Sequence, residues 1–293
     1  MVLNPRPLRS GSLVAIAAPA SPFDRTELFR GLAWLSTRYR LRIDERVLSR
    51  KGYLAGTDAS RAAVLSAAML DPEVEAIVMA RGGYGASRVV DRLPWDDFAR
   101  APKHLVGFSD VCVLHAAANA RGVRTVHGPN VTGLGRSITA AERLSLIQCL
   151  EGMPVDPWTG LVAVRAGEAS GSVVGGNLAL VQAMAAGGRW TTPEGAILVL
   201  EDITERPYRI DRMLSTLFLG GHLQRAGAIV FGEFTQCEPG GDGVTVDDVI
   251  ADYASQLAMP IYTNAPFGHG APNFAFPLGA EAHLASDGAL RFA

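Results

Sequence analysis

Ser109, His269 and Glu201 each stand where a polar side chain needs a reason. Ser109 separates the strand-like run Leu105–Phe108 from a helical stretch that begins at Asp110 and meets no breaker before Arg121 and Gly122. His269 lies in the loop "APFGHGAPN", flanked by Gly268 and Gly270 and by Pro266 and Pro272, where neither helix nor strand calls for an imidazole. Glu201 ends the apolar run "AILVLE". Together they are the parts of nucleophilic acyl transfer: an imidazole takes the serine proton while a carboxylate fixes its tautomer. Each also has a plainer role. A Ser-Asp pair is a favoured helix N-cap, a loop histidine can face water, and a strand-end acid can turn to solvent. Strand alternation sends Glu201 and Asp202 to opposite faces, so one of the two serves. Glu201, nearer the apolar run, is the choice.

Acyl transfer also needs backbone N–H groups aimed at the developing oxyanion. The turn "ARGGYGAS" follows the buried run "AIVMA", and Gly83 offers one such group there. Asp110, the residue after the serine, offers the second, as in strand-turn-helix elbows. Two familiar motifs fit poorly. "GGYGASR" has Arg88 where a dinucleotide fingerprint wants its third glycine. "GFSDV" has Val111 where G-x-S-x-G wants its second, which disfavours a standard α/β-hydrolase.

The elements that must position these groups alternate in the first half. Strand-like "SLVAIAAPA", "LRI", "VEAIVMA", "HLVGF" and "VRTVHG" are interleaved with helical "DRTELFRGLAWLSTRY", "DASRAAVLSAAMLD", a helix after the glycine turn running through Val90, and the helix after Ser109. Such alternation predicts a doubly wound parallel sheet with ligands at the carboxyl ends of its strands. "GMPVDPWTGL" shifts the composition toward proline and glycine and reads as a linker. The expected division is residues 1–151 for an N-terminal domain with the elbow and the glycine turn, 152–170 for the linker, and 171–293 for a smaller α/β domain with its own sheet. That second domain carries Glu201 and His269.

Bulk properties narrow the function. A chain of 293 residues, 48% hydrophobic and 19% charged, suits two packed domains rather than a disordered chain. A net charge of -2 gives no basic footprint for nucleic acid. Three widely spaced cysteines, without CxxC, argue against a disulfide framework and a zinc site. The N-terminal apolar run breaks at Pro19, and no window approaches a membrane span, so the expectation is a soluble cytoplasmic protein.

The blocks "ARGGYGASRVVDRL", "LVGFSDVCVLHAAANARGVRTVHGP", "GSVVGGNLALVQAMAAG", "ILVLEDITERPYRIDRMLSTLFLGG" and "NAPFGHGAPNFAFPLGAEAHL" occur in one order across nearly the whole chain. In them the sequence resembles the LD-carboxypeptidases, serine peptidases of murein recycling that include microcin C immunity proteins. The resemblance implies a Ser109-Glu201-His269 triad, backbone oxyanion donors at Gly83 and Asp110, and no metal or other cofactor. It also implies an N-terminal domain like class I glutamine amidotransferases, a homodimer, and a murein tetrapeptide substrate that loses its terminal D-alanine. Arg81, beside the glycine turn, is the candidate for the substrate carboxylate, because arginine pairs with carboxylates bidentately. Two other readings remain: a peptidase acting on aminoacyl-nucleotides, and a non-catalytic ligand-binding protein.

Overall fold

The structure, a computed structural model, describes residues 2–136 and 138–293. In chain order the first elements are β1 (Leu13–Ala17), α1 (Arg25–Ser36), β2 (Arg40–Ile43), α2 (Asp58–Leu70), β3 (Val74–Met79), α3 (Trp95–Arg100), β4 (His104–Gly107), α4 (Cys112–Asn119), β5 (Thr125–His127), α5 (Val131–Leu134) and α6 (Ala140–Glu151). There follow β6 (Val162–Arg165), β7 (Ala169–Asn177), α7 (Leu178–Ala186), β8 (Ile197–Ile203), α8 (Pro207–Leu219), β9 (Ala228–Thr235), α9 (Val246–Gln256), β10 (Ile261–Thr263), β11 (Phe276–Leu278), β12 (Glu281–Leu284) and β13 (Leu290–Phe292). They form two compact units, Met1–Val155 with Phe274–Gly279, and Asp156–Asn273 with Ala280–Ala293.

The sheet of the first unit runs β11-β5-β4-β3-β1-β2, parallel from β5 to β2, with β11 antiparallel on β5. All five residues of β1 are buried, as a parallel strand covered on both faces requires. Helix α1 shows how one cover forms. Asp24 caps it by accepting the Glu27 N–H, and Leu28, Leu32 and Leu35, at helical spacing, join the core with Val14, Ile16, Val78 and Val106. At Gly31 a Cβ would meet the Val131 carbonyl at 1.9 Å, so glycine is what lets α1 approach α5. The strand order reverses between β1 and β3, and the loops beyond their carboxyl ends, with that of β4, hold Ser21, the glycine turn and Ser109.

The second unit has a seven-stranded sheet, β13-β12-β7-β8-β9-β10-β6, parallel from β7 to β10 and antiparallel at both margins. The fold is thus α/β with two sheets, as expected. Three local expectations change. The helix expected through Val90 is two short 3-10 turns, Ala86–Arg88 and Val90–Arg92, hemmed by Gly85 at φ 128° and by Pro94. The 152–170 stretch holds β6 and the start of β7. β11 joins the first sheet from a point far along the chain. Its Pro277 is tolerated because the strand lies at the sheet edge. Among the described residues no helix is long and apolar enough to cross a membrane.

Candidate active site

At the end of β4, Phe108 is still extended and Ser109 turns to φ 65°, followed by a 3-10 turn over Ser109–Val111 that leads into α4. A cap residue has extended backbone angles and a side chain that accepts a first-turn N–H. Ser109 has neither: no side-chain cap bond is made at the 3-10 turn or at α4. A left-handed serine costs about 1–3 kcal/mol, strain that persists only where the surroundings impose it. They do so closely. A Cβ on Gly107 would lie 2.8 Å from Oδ1 of Asn130, which accepts the Phe108 N–H. A Cβ on Gly82 would lie 2.8 Å from the Ser109 Cβ and 3.1 Å from its Oγ. Gly82→Ala is therefore expected to displace the serine. Steady-state assay should show a loss of about 10²-fold in kcat, the scale of a misplacement of about 1 Å. A Gly82→Ala protein with full activity would mean that this contact is not needed.

The glycine turn is fastened by Ser21, whose Oγ accepts the Tyr84 N–H at 3.0 Å and whose N–H donates to the Gly82 carbonyl at 3.3 Å. Gly83, at φ 100°, has no room for a Cβ, which would meet Ser21 Oγ at 2.5 Å. Among the described residues the N–H groups of Gly83 and Asp110 have no hydrogen-bond partner. Two unclaimed donors thus border Ser109. Arg81 is exposed, and its Nη1 donates to the Pro22 carbonyl at 2.6 Å.

In the second unit Nδ1 of His269 bonds Oε2 of Glu201 at 2.7 Å, with the acid wholly buried and the imidazole 14% exposed. Burial opposes the charged imidazole. The hydrogen bond to Glu201 and the charges of Glu201, Asp202 and Glu233 outweigh it, so the His269 pKa lies above its ordinary value. A carboxylate at Nδ1 favours the tautomer that carries its proton on that nitrogen.

The strand positions this pair through an irregularity. Leu200 pairs with Phe231 but Asp202 with Phe234, so Gly232 and Glu233 of β9 both stand against Glu201. A bulge of this kind re-aims side chains. β9 also grips the histidine loop: Ala265 N–H donates to the Phe231 carbonyl and Glu233 N–H to the Phe267 carbonyl. At Gly270 a Cβ would fall 1.9 Å from the Glu233 carboxylate, and at Gly268, φ 140°, 3.4 Å from Oε2 of Glu201. The glycines let the loop close on the acid. Asp202 does not turn away to solvent. Its carboxylate accepts from Asn177 Nδ2 at 3.0 Å, Ala179 N–H at 2.9 Å and Ile203 N–H at 2.8 Å, at the start of α7. Burial, with the Glu201 charge, pushes its pKa to about 6 against those bonds.

The LD-carboxypeptidase N-terminal domain model matches residues 14–128, and the C-terminal domain model matches 170–284. The murein tetrapeptide carboxypeptidase of Pseudomonas aeruginosa is 35% identical over 92% of this chain and 92% of its own. The chain belongs to the LD-carboxypeptidase family. Among solved structures, the muramoyltetrapeptide carboxypeptidase of Oxalobacter formigenes superposes with a TM-score of 0.86 at 28% identity, covering 96% of this chain and 97% of its own. The microcin C7 self-immunity protein MccF, in complex with aspartyl sulfamoyl adenosine, gives a TM-score of 0.90 at 20% identity, covering 99% and 98%, a likeness of fold. An LD-carboxypeptidase of the serine type is a hydrolase, so the non-catalytic alternative falls away.

In this LD-carboxypeptidase, residues that the sequence did not single out also pack around the candidate site residues. Asn177 caps α7 by accepting the Leu180 N–H while its Nδ2 reaches Asp202, and Glu201 at 3.4 Å. An asparagine directly before a helical run is a readable cap signal, but its contact with two strand-end acids is not. Ser21 and Gly82 had no signal beyond lying after strands.

Proposed function

We propose that the chain releases the terminal D-alanine from murein tetrapeptides through Ser109, Glu201 and His269. The observation that carries this reading is the imidazole held by a fully buried carboxylate, Glu201 Oε2 to His269 Nδ1 at 2.7 Å. In this mechanism His269 Nε2 takes the Ser109 proton as Oγ attacks the carbonyl before D-alanine. Glu201 steadies the imidazolium that forms, and the N–H groups of Gly83 and Asp110 receive the oxyanion. The imidazolium then protonates the leaving amine. A water molecule, deprotonated by the same imidazole, cleaves the acyl-enzyme. No metal is called on. Arg81, one arm already on Pro22, keeps its remaining donors for the terminal carboxylate. The reading carries with it a homodimer and a cytoplasmic location.

Murein peptide is favoured over aminoacyl-nucleotide by the chemistry of the loop after β9, which lines a cleft of about 870 Å³ in the second unit. The cleft is bounded by Pro266, Ala271 and Pro272 of the histidine loop and by Glu233. The loop after β9 contributes Cys237, Pro239 and Thr245 and no aromatic ring, and the two rings that line the cleft belong to β9 itself, Phe231 buried and Phe234 half-buried. The expected result is a higher kcat/KM for L-Ala-D-Glu-diaminopimelate-D-Ala than for an aminoacyl-sulfamoyl adenosine, with the terminal L-alanine epimer spared. A higher value for the nucleotide conjugate would overturn the murein assignment and leave the triad standing.

A further inference from the structure

Asp110 enters the proposed mechanism only through its N–H, yet its side chain is the more unusual part. The residue is 1% exposed, Oδ2 accepts the Ala86 N–H at 2.7 Å, and Oδ1 has no partner among the described residues. A carboxylate buried with a single hydrogen bond is unfavourable. Burial raises its pKa to about 6, against the Ala86 bond and the charge of Arg61. For stability alone an apolar side chain would serve better.

What the carboxylate holds is the far end of the glycine turn. Ala86 follows Gly85, whose carbonyl accepts from Arg61 Nη1 at 2.8 Å. The guanidinium of Arg61 is fully buried, pairs with Asp58 Oδ1 at 2.6 Å, and also donates to the Pro19 carbonyl beyond β1. Ser21 holds the near end at Gly82 and Tyr84. The turn is thus pinned at Gly82 O, Tyr84 N, Gly85 O and Ala86 N, and the Gly83 N–H between these pins is left unclaimed. Of the side chains that pin it, Asp110 alone belongs to the nucleophile elbow, one residue from Ser109.

We propose that the Asp110 side chain is a positioning residue: it ties the elbow to the glycine turn and so fixes the distance between the nucleophile and the Gly83 oxyanion donor. The two N–H donors belong to different loops, one after β3 and one after β4. Donors that stabilise a transition state act only when held at 2.7–3.1 Å from the oxyanion. Loss of the tie lets the Gly83 N–H drift from the reacting atom while the surface that recognises ground-state substrate stays intact.

This inference rests on the proposed Ser109 nucleophile, and the experiment separates the two. Asp110→Ala and Asp110→Asn are prepared in the full chain, with active sites counted by a fluorophosphonate probe. Per active site, Asp110→Ala should lower kcat by about 10²-fold, near the effect of removing one oxyanion donor, with KM within about threefold. Asp110→Asn keeps an oxygen for the Ala86 N–H and should recover part of kcat. It also covers the case in which the alanine variant does not fold. A tetrahedral phosphonate analogue should lose affinity in step with kcat, and a ground-state product peptide should not. Wild-type kcat per site in Asp110→Ala, a kcat in Asp110→Asn no higher than in Asp110→Ala, or equal losses for both ligands overturns the role of the side chain. Retained activity in Ser109→Ala would instead overturn the catalytic reading itself.

Discussion

Ser109→Ala should lower kcat by about a million-fold, the loss seen when a serine nucleophile is removed from a triad. The residual rate, about 10³–10⁴-fold above water, comes from the oxyanion donors and substrate binding. The fold should hold or gain slightly, because alanine removes a polar side chain that caps no helix. The φ of 65° remains imposed by the packing of Gly82, Gly107 and Asn130. Thermal unfolding, fluorophosphonate labelling and tetrapeptide turnover are measured on one preparation. Labelling and turnover should vanish together while the melting curve stays. Turnover that survives in contaminant-free Ser109→Ala protein would mean a different nucleophile.

The triad candidates were legible because each breaks a local pattern. A serine interrupts strand and helix, a histidine sits between glycines, and an acid ends an apolar strand. The first sheet was legible from its apolar runs, continuous in β1 and interrupted in β3 and β4 only by Glu75 and His104. What stayed hidden depends on contacts between distant residues. The left-handed backbone at Ser109, which rules out the cap, follows from Gly82 and Asn130 rather than from neighbours in sequence. Alternation placed Asp202 on the face away from Glu201, but it could not show that the start of α7 would cover that face and bury both acids. β11 has three residues, too few for any periodicity, and its partner β5 lies some 150 positions earlier. The expected helix after the glycine turn failed because Gly85 and Pro94 confine the chain to single turns.

Glu201→Gln and Asp202→Asn should separate two adjacent buried acids by what each supports. Glutamine at 201 can present its NH2 to Nδ1 of His269 and favour the wrong tautomer. By the behaviour of such a change in a triad, kcat should fall by about 10⁴-fold. Asp202 instead accepts three N–H groups, from Asn177, Ala179 and Ile203. Asparagine cannot accept them all, so Asp202→Asn should cost about 1–3 kcal/mol of stability and change kcat little. The pH profile gives an independent check. The His269 pKa is raised in the folded protein, despite burial, by its bond to Glu201 and by the charges of Glu201, Asp202 and Glu233. The imidazole is a base only when unprotonated, so wild-type kcat/KM rises as pH passes upward through that raised value. Removing the Glu201 charge and its bond leaves burial opposed only by Asp202 and Glu233, so the acid limb of Glu201→Gln moves to lower pH even as its plateau drops. Asp202→Asn removes a more distant charge and moves the limb less. If Asp202→Asn carried the large loss in kcat and the larger shift of the limb, the orienting acid would be Asp202, and the Glu201 contact would be a feature of packing.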